Sequence, residues 1–331
     1  MSQANLPDYA KARTIDFNTI PIIDMGLSNT PDGFAKFAFD LVQAAEQTGF
    51  FYLSNHGITQ ATIDKAFTAS QDFFNLPETD KATIAVNQQQ RGWMAQGMTR
   101  LEGAKTHDAK EVFFWGWDVE VDDPDVRARL PMVAPNLWPD TVAPALKHHL
   151  LDYYTQVIDL SRKTLSALAV GLGQNADFFE SAYKKPLARG QLVYYPPSSP
   201  EDETEQRFGA ATHSDFGVLT MLLQDMVGGL QVQNLSGDWI EAPPVKGSFV
   251  CNIGDLLERW TNNRLVSTKH RVLNKSGTSR YSIPIFCDPA SDTVIDPRDF
   301  GVLENDALFD PVKSGEYITG KNKKNFSQYK N

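Results

Sequence analysis

Cysteine is nearly missing from this chain: there are two in 331 residues, Cys251 and Cys287. A disulfide framework is therefore not indicated, which sets aside the small secreted scaffolds that depend on one. Long apolar runs are missing too. No stretch approaches the roughly 18 residues of a membrane helix, and the opening Met1-Ser2-Gln3-Ala4-Asn5-Leu6-Pro7 lacks the basic-then-apolar order of a secretory signal. Basic clusters are scarce: 31 Lys and Arg stand against 41 Asp and Glu, for a net charge of −10. Without a concentrated basic patch, nucleic acid is not an expected partner. Neither internal repeats nor low-complexity tracts occur. What remains is an ordinary globular chain, expected to be cytoplasmic and without a membrane partner. No pattern in it specifies an oligomeric state. With 41% hydrophobic residues it can bury one sizeable core.

The patterning changes character along the chain. Residues 1 to 18 read as a loose arm. Ile20 to Ile23 reads as a short strand, and Pro31 to Gln47 carries an apolar stripe at helical spacing through Phe34, Phe37, Ala38, Leu41, Val42 and Ala45. Phe50 to Leu53 reads as a strand. Ile63 to Phe74 reads as a second helix, and Leu146 to Leu172 as the longest one, ended by Gly171 and Gly173. Residues 86 to 110 lack periodicity and read as a long loop. After about residue 186 short apolar runs separated by Gly, Pro, Asn and Asp take over. They are Gln191 to Tyr195, Val218 to Leu223, Leu230 to Gln233, Phe249 to Ile253, Lys269 to Leu273 and Tyr281 to Phe286. Many short strands at this spacing predict a double-sheet jelly roll. The short basic segment Lys321 to Lys324 is expected to be a solvated end.

Within the strand-rich half lie His213, Asp215 and, further on, His270. Two neutral imidazoles and a carboxylate with open coordination positions suit a non-haem Fe(II) centre. A His-x-Asp pair alone is weak, because short motifs recur by chance. Here it precedes a strand-like run, where residues two apart share a face, and His270 opens another. Arg280 and Ser282 share one face of the next strand, with Tyr281 and Ile283 on the other. An inward Arg among apolar strands is costly without an anion, so the pair predicts a bound carboxylate. The remaining histidines read as structural or solvated: His56 in a turn, His148 and His149 on the long helix, His107 in the long loop. Asn252 and Asp255 read as residues that pin a turn. Trp93, Met98, Phe114, Trp115 and Trp117 either line a pocket or seal the helical layer against the barrel.

These residues carry a specific resemblance. Gly228-Gly229-Leu230-Gln231-Val232, Asn252-Ile253-Gly254-Asp255, His270-Arg271-Val272 and Arg280-x-Ser282 resemble the isopenicillin N synthase-like family of Fe(II)/2-oxoglutarate oxygenases. In the first half, Asn55-His56-Gly57, Arg91-Gly92-Trp93 and Lys110-Glu111 match the same family, so the likeness spans about residues 18 to 290. It implies one oxygenase domain over 1–331: a mostly helical region at 18–185, a jelly-roll core with the iron and 2-oxoglutarate site at 186–290, and a tail at 291–331. It implies iron ligation by His213, Asp215 and His270, and 2-oxoglutarate binding by Arg280, Ser282 and Tyr195. Relatives often carry Asn two positions before that Tyr; this chain has Val193. It implies Trp93, Met98, Phe114 and Phe286 as substrate contacts, Phe286 because the region faces the substrate in relatives. The implied reaction consumes O2, releases succinate and CO2, and hydroxylates, desaturates or cyclises a small molecule. Three rivals stay open at this point: an iron oxidase on the same fold without 2-oxoglutarate, a zinc enzyme using the same ligands, and a binding protein that keeps the barrel without the chemistry.

Overall fold

A computed structural model describes residues 20–101, 103–234 and 236–326. The arm expected over residues 1 to 18 lies outside the described residues. Two sheets face one another. The larger has eight strands in the order β1 (Ile22–Asp24), β2 (Phe50–Ser54), β10 (Ser248–Ile253), β7 (Leu219–Gln224), β12 (Arg280–Cys287), β5 (Arg189–Tyr195), β4 (Glu111–Gly116) and β3 (Gly92–Met94). The smaller has four, in the order β6 (Ala210–His213), β11 (His270–Val272), β8 (Leu230–Gln233) and β9 (Trp239–Glu241). Among the described strand pairs of these sheets, β1–β2 alone is parallel. Crossovers between two antiparallel sheets make the expected jelly roll.

Strand alternation explains why the larger sheet can be buried on both faces. On β12, Ile283, Ile285 and Cys287 belong to the core beneath the helices, while Arg280, Ser282 and Pro284 line the space between the sheets. The same split runs through β2, where Phe51 and Leu53 face the helices and Phe50 and Tyr52 the inter-sheet core. The helical layer consists of α1 (Pro31–Gln47), α2 (Gln60–Phe74) and α3 (Pro144–Gly171), packed on one another and on β7 and β12. Thr30 caps α1, its side chain accepting from the Gly33 amide, with Pro31 at the first helical position. Among the described residues no helix is long and apolar enough to cross a membrane.

Two expectations need correction. Residues 18 to 185 do not form a region apart from the barrel, because β1 to β4 complete both edges of the larger sheet. The segment expected as a solvated end is the helix α4 (Ser314–Asn325), in which Asn322 and Asn325 are buried. Lys321 forms an ion pair with Asp255 at 3.0 Å. Its lysine-rich composition hid a packed face made of small and amide side chains, which a search for apolar periodicity passes over.

The junction of the helices and β4 is the tightest aromatic cluster near the site. Phe113 is fully buried, with ring centroids 4.9 Å from Phe73 and 5.8 Å from Trp138. Phe113→Ala is expected to lower unfolding free energy by about 3–5 kcal/mol, whereas Phe39→Ala, at a position 63% exposed, is expected to change it by no more than about 0.5 kcal/mol. Urea unfolding of the two variants checks both values.

Candidate active site

His213 ends β6 and His270 begins β11, and the antiparallel register sets them directly opposite one another. Their ring centroids lie 4.3 Å apart. Asp215 does not continue the strand, as the two-residue spacing suggested. It sits in the turn between β6 and β7, which folds its carboxylate back over the two rings. Asp215 Oδ1 is 3.9 Å from His213 Nε2 and 3.7 Å from His270 Nε2, and one donor atom from each of the three residues lies within 4.8 Å of the others. Two glycines permit the turn. A Cβ at Gly217 would fall 1.7 Å from Asp288 Oδ1, and one at Gly254 2.3 Å from the Gly217 carbonyl oxygen.

Each donor is oriented from behind. His213 Nδ1 is 2.7 Å from the Ala211 carbonyl and His270 Nδ1 3.2 Å from that of Thr268. With Nδ1 as the protonated nitrogen, both Nε2 lone pairs face Asp215. Asp215 Oδ2 accepts from Thr220 Oγ1 at 2.5 Å and from Asn252 Nδ2 at 2.8 Å, leaving Oδ1 toward the imidazoles. Burial, then the neighbouring His270, pushes the His213 imidazole down to about 3, so it stays neutral near pH 7. Burial alone would raise the Asp215 carboxyl; the facing imidazoles and the bonds from Thr220 and Asn252 outweigh it and hold it below the ordinary value. Two neutral nitrogens and one carboxylate oxygen, converging and tied from behind, fit a divalent metal.

Deeper between the sheets, Arg280 is completely buried. Its Nη2 donates to Gln224 Oε1 at 3.1 Å and its guanidinium carbon lies 4.8 Å over the Tyr195 ring, its partner across the β5–β12 ladder. Nε and Nη1 are buried with no hydrogen-bond partner. A buried guanidinium with two idle donors fits a carboxylate. Ser282 and Tyr195 line the same cavity as Arg280 and the three metal-site residues.

On the other side of His213 and Asp215 opens a second compartment. Lys110, Gln191 and Phe286 line both, and Gln90, Arg189 and Phe114 line the outer one. Lys110 pairs with Asp108 at 2.9 Å. Burial opposes its charge, but Asp108 keeps the ammonium above the ordinary lysine value. Beyond His213 and Phe216 lies a vestibule of about 450 Å³. Phe326 closes another wall of the outer compartment, with its ring 6.4 Å from that of Phe114.

The structure thus brings together His213, Asp215 and His270, and beside them Arg280, Ser282, Tyr195 and Phe286. Phe114 faces the outer compartment. Trp93 does not: it points into the helical layer, where its Nε1 donates to Glu111 Oε2 at 3.0 Å. Met98 packs at the rim of the inter-sheet core and is not part of either lining. Asn252, read as a turn residue, orients Asp215. Thr220 does the same and drew no notice, although it alternates with Leu219 and Met221 as the one polar side chain inside an apolar strand. Gln90, Lys110, Arg189 and Asn322 were also missed; buried polar residues betray themselves only when their surroundings are known.

Comparison with known proteins gives this arrangement its class. Residues 20–141 match the family model described as non-haem dioxygenase in morphine synthesis N-terminal, and residues 189–289 match the 2OG-Fe(II) oxygenase superfamily. The 2-oxoglutarate-Fe(II) type oxidoreductase hxnY of Emericella nidulans is 36% identical over 80% of this chain and 78% of its own. A homoarginine-6-hydroxylase of Oryza sativa subsp. japonica is 34% identical over 94% of this chain and 98% of its own. The crystal structure of a full-length Neurospora crassa protein in complex with alpha-KG and thymine superposes with a TM-score of 0.81 at 28% identity, covering 94% of this chain and 98% of that one. The chain belongs to the 2OG-Fe(II) oxygenase superfamily. It is a 2-oxoglutarate-dependent dioxygenase, with Fe(II) as its metal and 2-oxoglutarate and O2 as cosubstrates; an oxidase independent of 2-oxoglutarate is not favoured.

Because Thr220 and Asn252 fix which oxygen of Asp215 is available, Asn252→Ala and Thr220→Val are each expected to weaken Fe(II) binding by about 10- to 100-fold with the circular dichroism spectrum unchanged. Anaerobic Fe(II) titration measures this, and wild-type affinity in both variants would show that the two residues do not orient Asp215.

Proposed function

We propose that His213, Asp215 and His270 hold the iron, and that Arg280, with Ser282 and Tyr195, holds the far carboxylate of 2-oxoglutarate. The observation that carries the second assignment is the pair of partnerless donors on fully buried Arg280, one cavity wall away from the three ligands. What iron, 2-oxoglutarate and O2 supply together is the oxidising power: one oxygen atom goes to the substrate as a hydroxyl group, the other to succinate, and CO2 leaves. The residues of the chain do the rest. Thr220 and Asn252 orient Asp215, Gln224 and the Tyr195 ring hold Arg280 in place, and the apolar strands around them exclude water. No side chain is required as nucleophile or general base.

The substrate is a small molecule that occupies the outer compartment, against Phe114 and Phe286. Trp93 and Met98 act on it only through the wall they support. Homoarginine, named for the rice relative, suits this compartment poorly: its guanidinium needs a carboxylate, and among the described residues lining the compartment the only one is Asp215.

With Mn(II) as a redox-silent metal, Arg280→Ala is expected to raise the Kd for 2-oxoglutarate by about 10- to 100-fold, read by titration calorimetry, while metal binding stays at the wild-type level. His213→Ala and Asp215→Ala are expected to abolish both Fe(II) retention and succinate formation. Undiminished succinate formation by the purified Asp215→Ala protein would remove Asp215 from the ligand set.

A further inference from the structure

Gln90 is a non-glycine residue with φ of 54°, in the left-handed region, yet it is 1% exposed. Such a conformation is costly for a side-chain-bearing residue and persists where the surroundings impose it. Here the imposing group is the buried Arg91, whose Nη1 donates to the carbonyls of Gln89 and Gln90 at 2.9 and 3.1 Å. The result is a fixed side chain in the wall of the outer compartment. Gln90 Oε1 accepts from Arg189 Nη1 at 2.8 Å, and Arg189 Nη2 pairs with Asp288 at 3.0 Å. That leaves Gln90 Nε2 and Arg189 Nε, both buried, with no hydrogen-bond partner. Both idle atoms are N–H donors, so what satisfies them is an acceptor.

The surroundings favour an anionic acceptor. Lys110, in the same lining, has three donors and one ion pair, with Asp108. Although the whole chain carries −10, the described lining of the vestibule contributes Lys105, Lys269 and Lys321 against one carboxylate, Asp108, already paired with Lys110. A cleft lined by one sign of charge attracts ligands of the other. The remaining wall is apolar, with Phe114, Phe286 and Phe326, and the Arg189 guanidinium carbon lies 5.4 Å over the Phe286 ring.

We propose that the substrate is a small carboxylic acid with an apolar body, whose carboxylate is held by Gln90 Nε2 and Arg189 Nε with Lys110 beside them. The proposal deepens the dioxygenase reading and rests on it. Gln90 and Arg189 select and position the substrate, and the vestibule lysines draw it in.

The probes are phenylacetate and benzoate, their neutral amides phenylacetamide and benzamide, and arginine as a guanidinium-bearing control. They are titrated calorimetrically into the full chain loaded with Mn(II) and 2-oxoglutarate. The acids are expected to bind at least about tenfold more tightly than their amides, and arginine to bind more weakly than either acid. Gln90→Glu replaces the idle donor with an acceptor and keeps the oxygen that Arg189 uses. It is expected to weaken acid binding by about tenfold or more and leave 2-oxoglutarate binding unchanged. Gln90→Asn, which tolerates the left-handed backbone, is expected to do the same by withdrawing the amide. Equal binding of acids and amides, no binding by any acid, or wild-type acid affinity in both variants would overturn the proposal. A loss of 2-oxoglutarate affinity in Gln90→Glu would also overturn it, by assigning the subsite to the cosubstrate. Failure of the wild-type protein to bind 2-oxoglutarate at all would instead overturn the underlying dioxygenase assignment.

Discussion

A carboxylate buried between two sheets must be compensated, and the rest of the site follows from how Asp215 is compensated. One of its oxygens takes two hydrogen bonds from neighbouring strands, Thr220 on β7 and Asn252 on β10. The other is turned toward two imidazoles whose far nitrogens are already committed to backbone carbonyls. Protein groups thus saturate everything except three converging lone pairs. The arrangement is stable as a polar network only when something positive sits at that point, which is why it identifies a metal centre more firmly than the residue types alone.

The period-2 alternation of the strands extends that logic to the whole larger sheet. Every strand beneath the helices must present an apolar row to α1, α2 and α3, so its other row is free to carry function. On β12 that row is Arg280, Ser282, Pro284 and Phe286, running from the cosubstrate cavity to the substrate compartment in one strand. The helices keep this sheet fixed, and Tyr153 on α3 even donates a hydrogen bond to the Ile283 carbonyl at 3.3 Å. The smaller sheet contributes the two histidines, through a register that holds His213 against His270.

Much of this was legible in the sequence. The boundaries of α1 coincide with the expected Pro31 and Gln47 because Thr30, Pro31 and the terminal Gly49 are strong local signals. The strands after residue 186 were legible for the same reason, as apolar runs between turn residues. Three kinds of feature were not. β4 was missed because Glu111 to Gly116 is buried on both faces and so shows no alternation in its composition. α4 was missed because its packed face uses Asn and Gly in place of aliphatic residues. Thr220, Asn252, Gln90 and Arg189 were missed as site residues because their importance is a matter of which atoms find partners, and hydrogen-bond satisfaction is a property of three-dimensional neighbours.

The left-handed backbone at Gln90 has an evolutionary consequence. A position with φ of 54° resists proline and β-branched residues and is most easily occupied by Gly, Asn, Asp or similar short polar side chains. Mutational drift at this corner is therefore channelled. The accessible neighbours differ chiefly in whether they offer a donor, an acceptor or empty space. Descendants of this protein can exchange one ligand preference for another there by a single codon's worth of change, while the strands that carry the metal and cosubstrate machinery stay as they are.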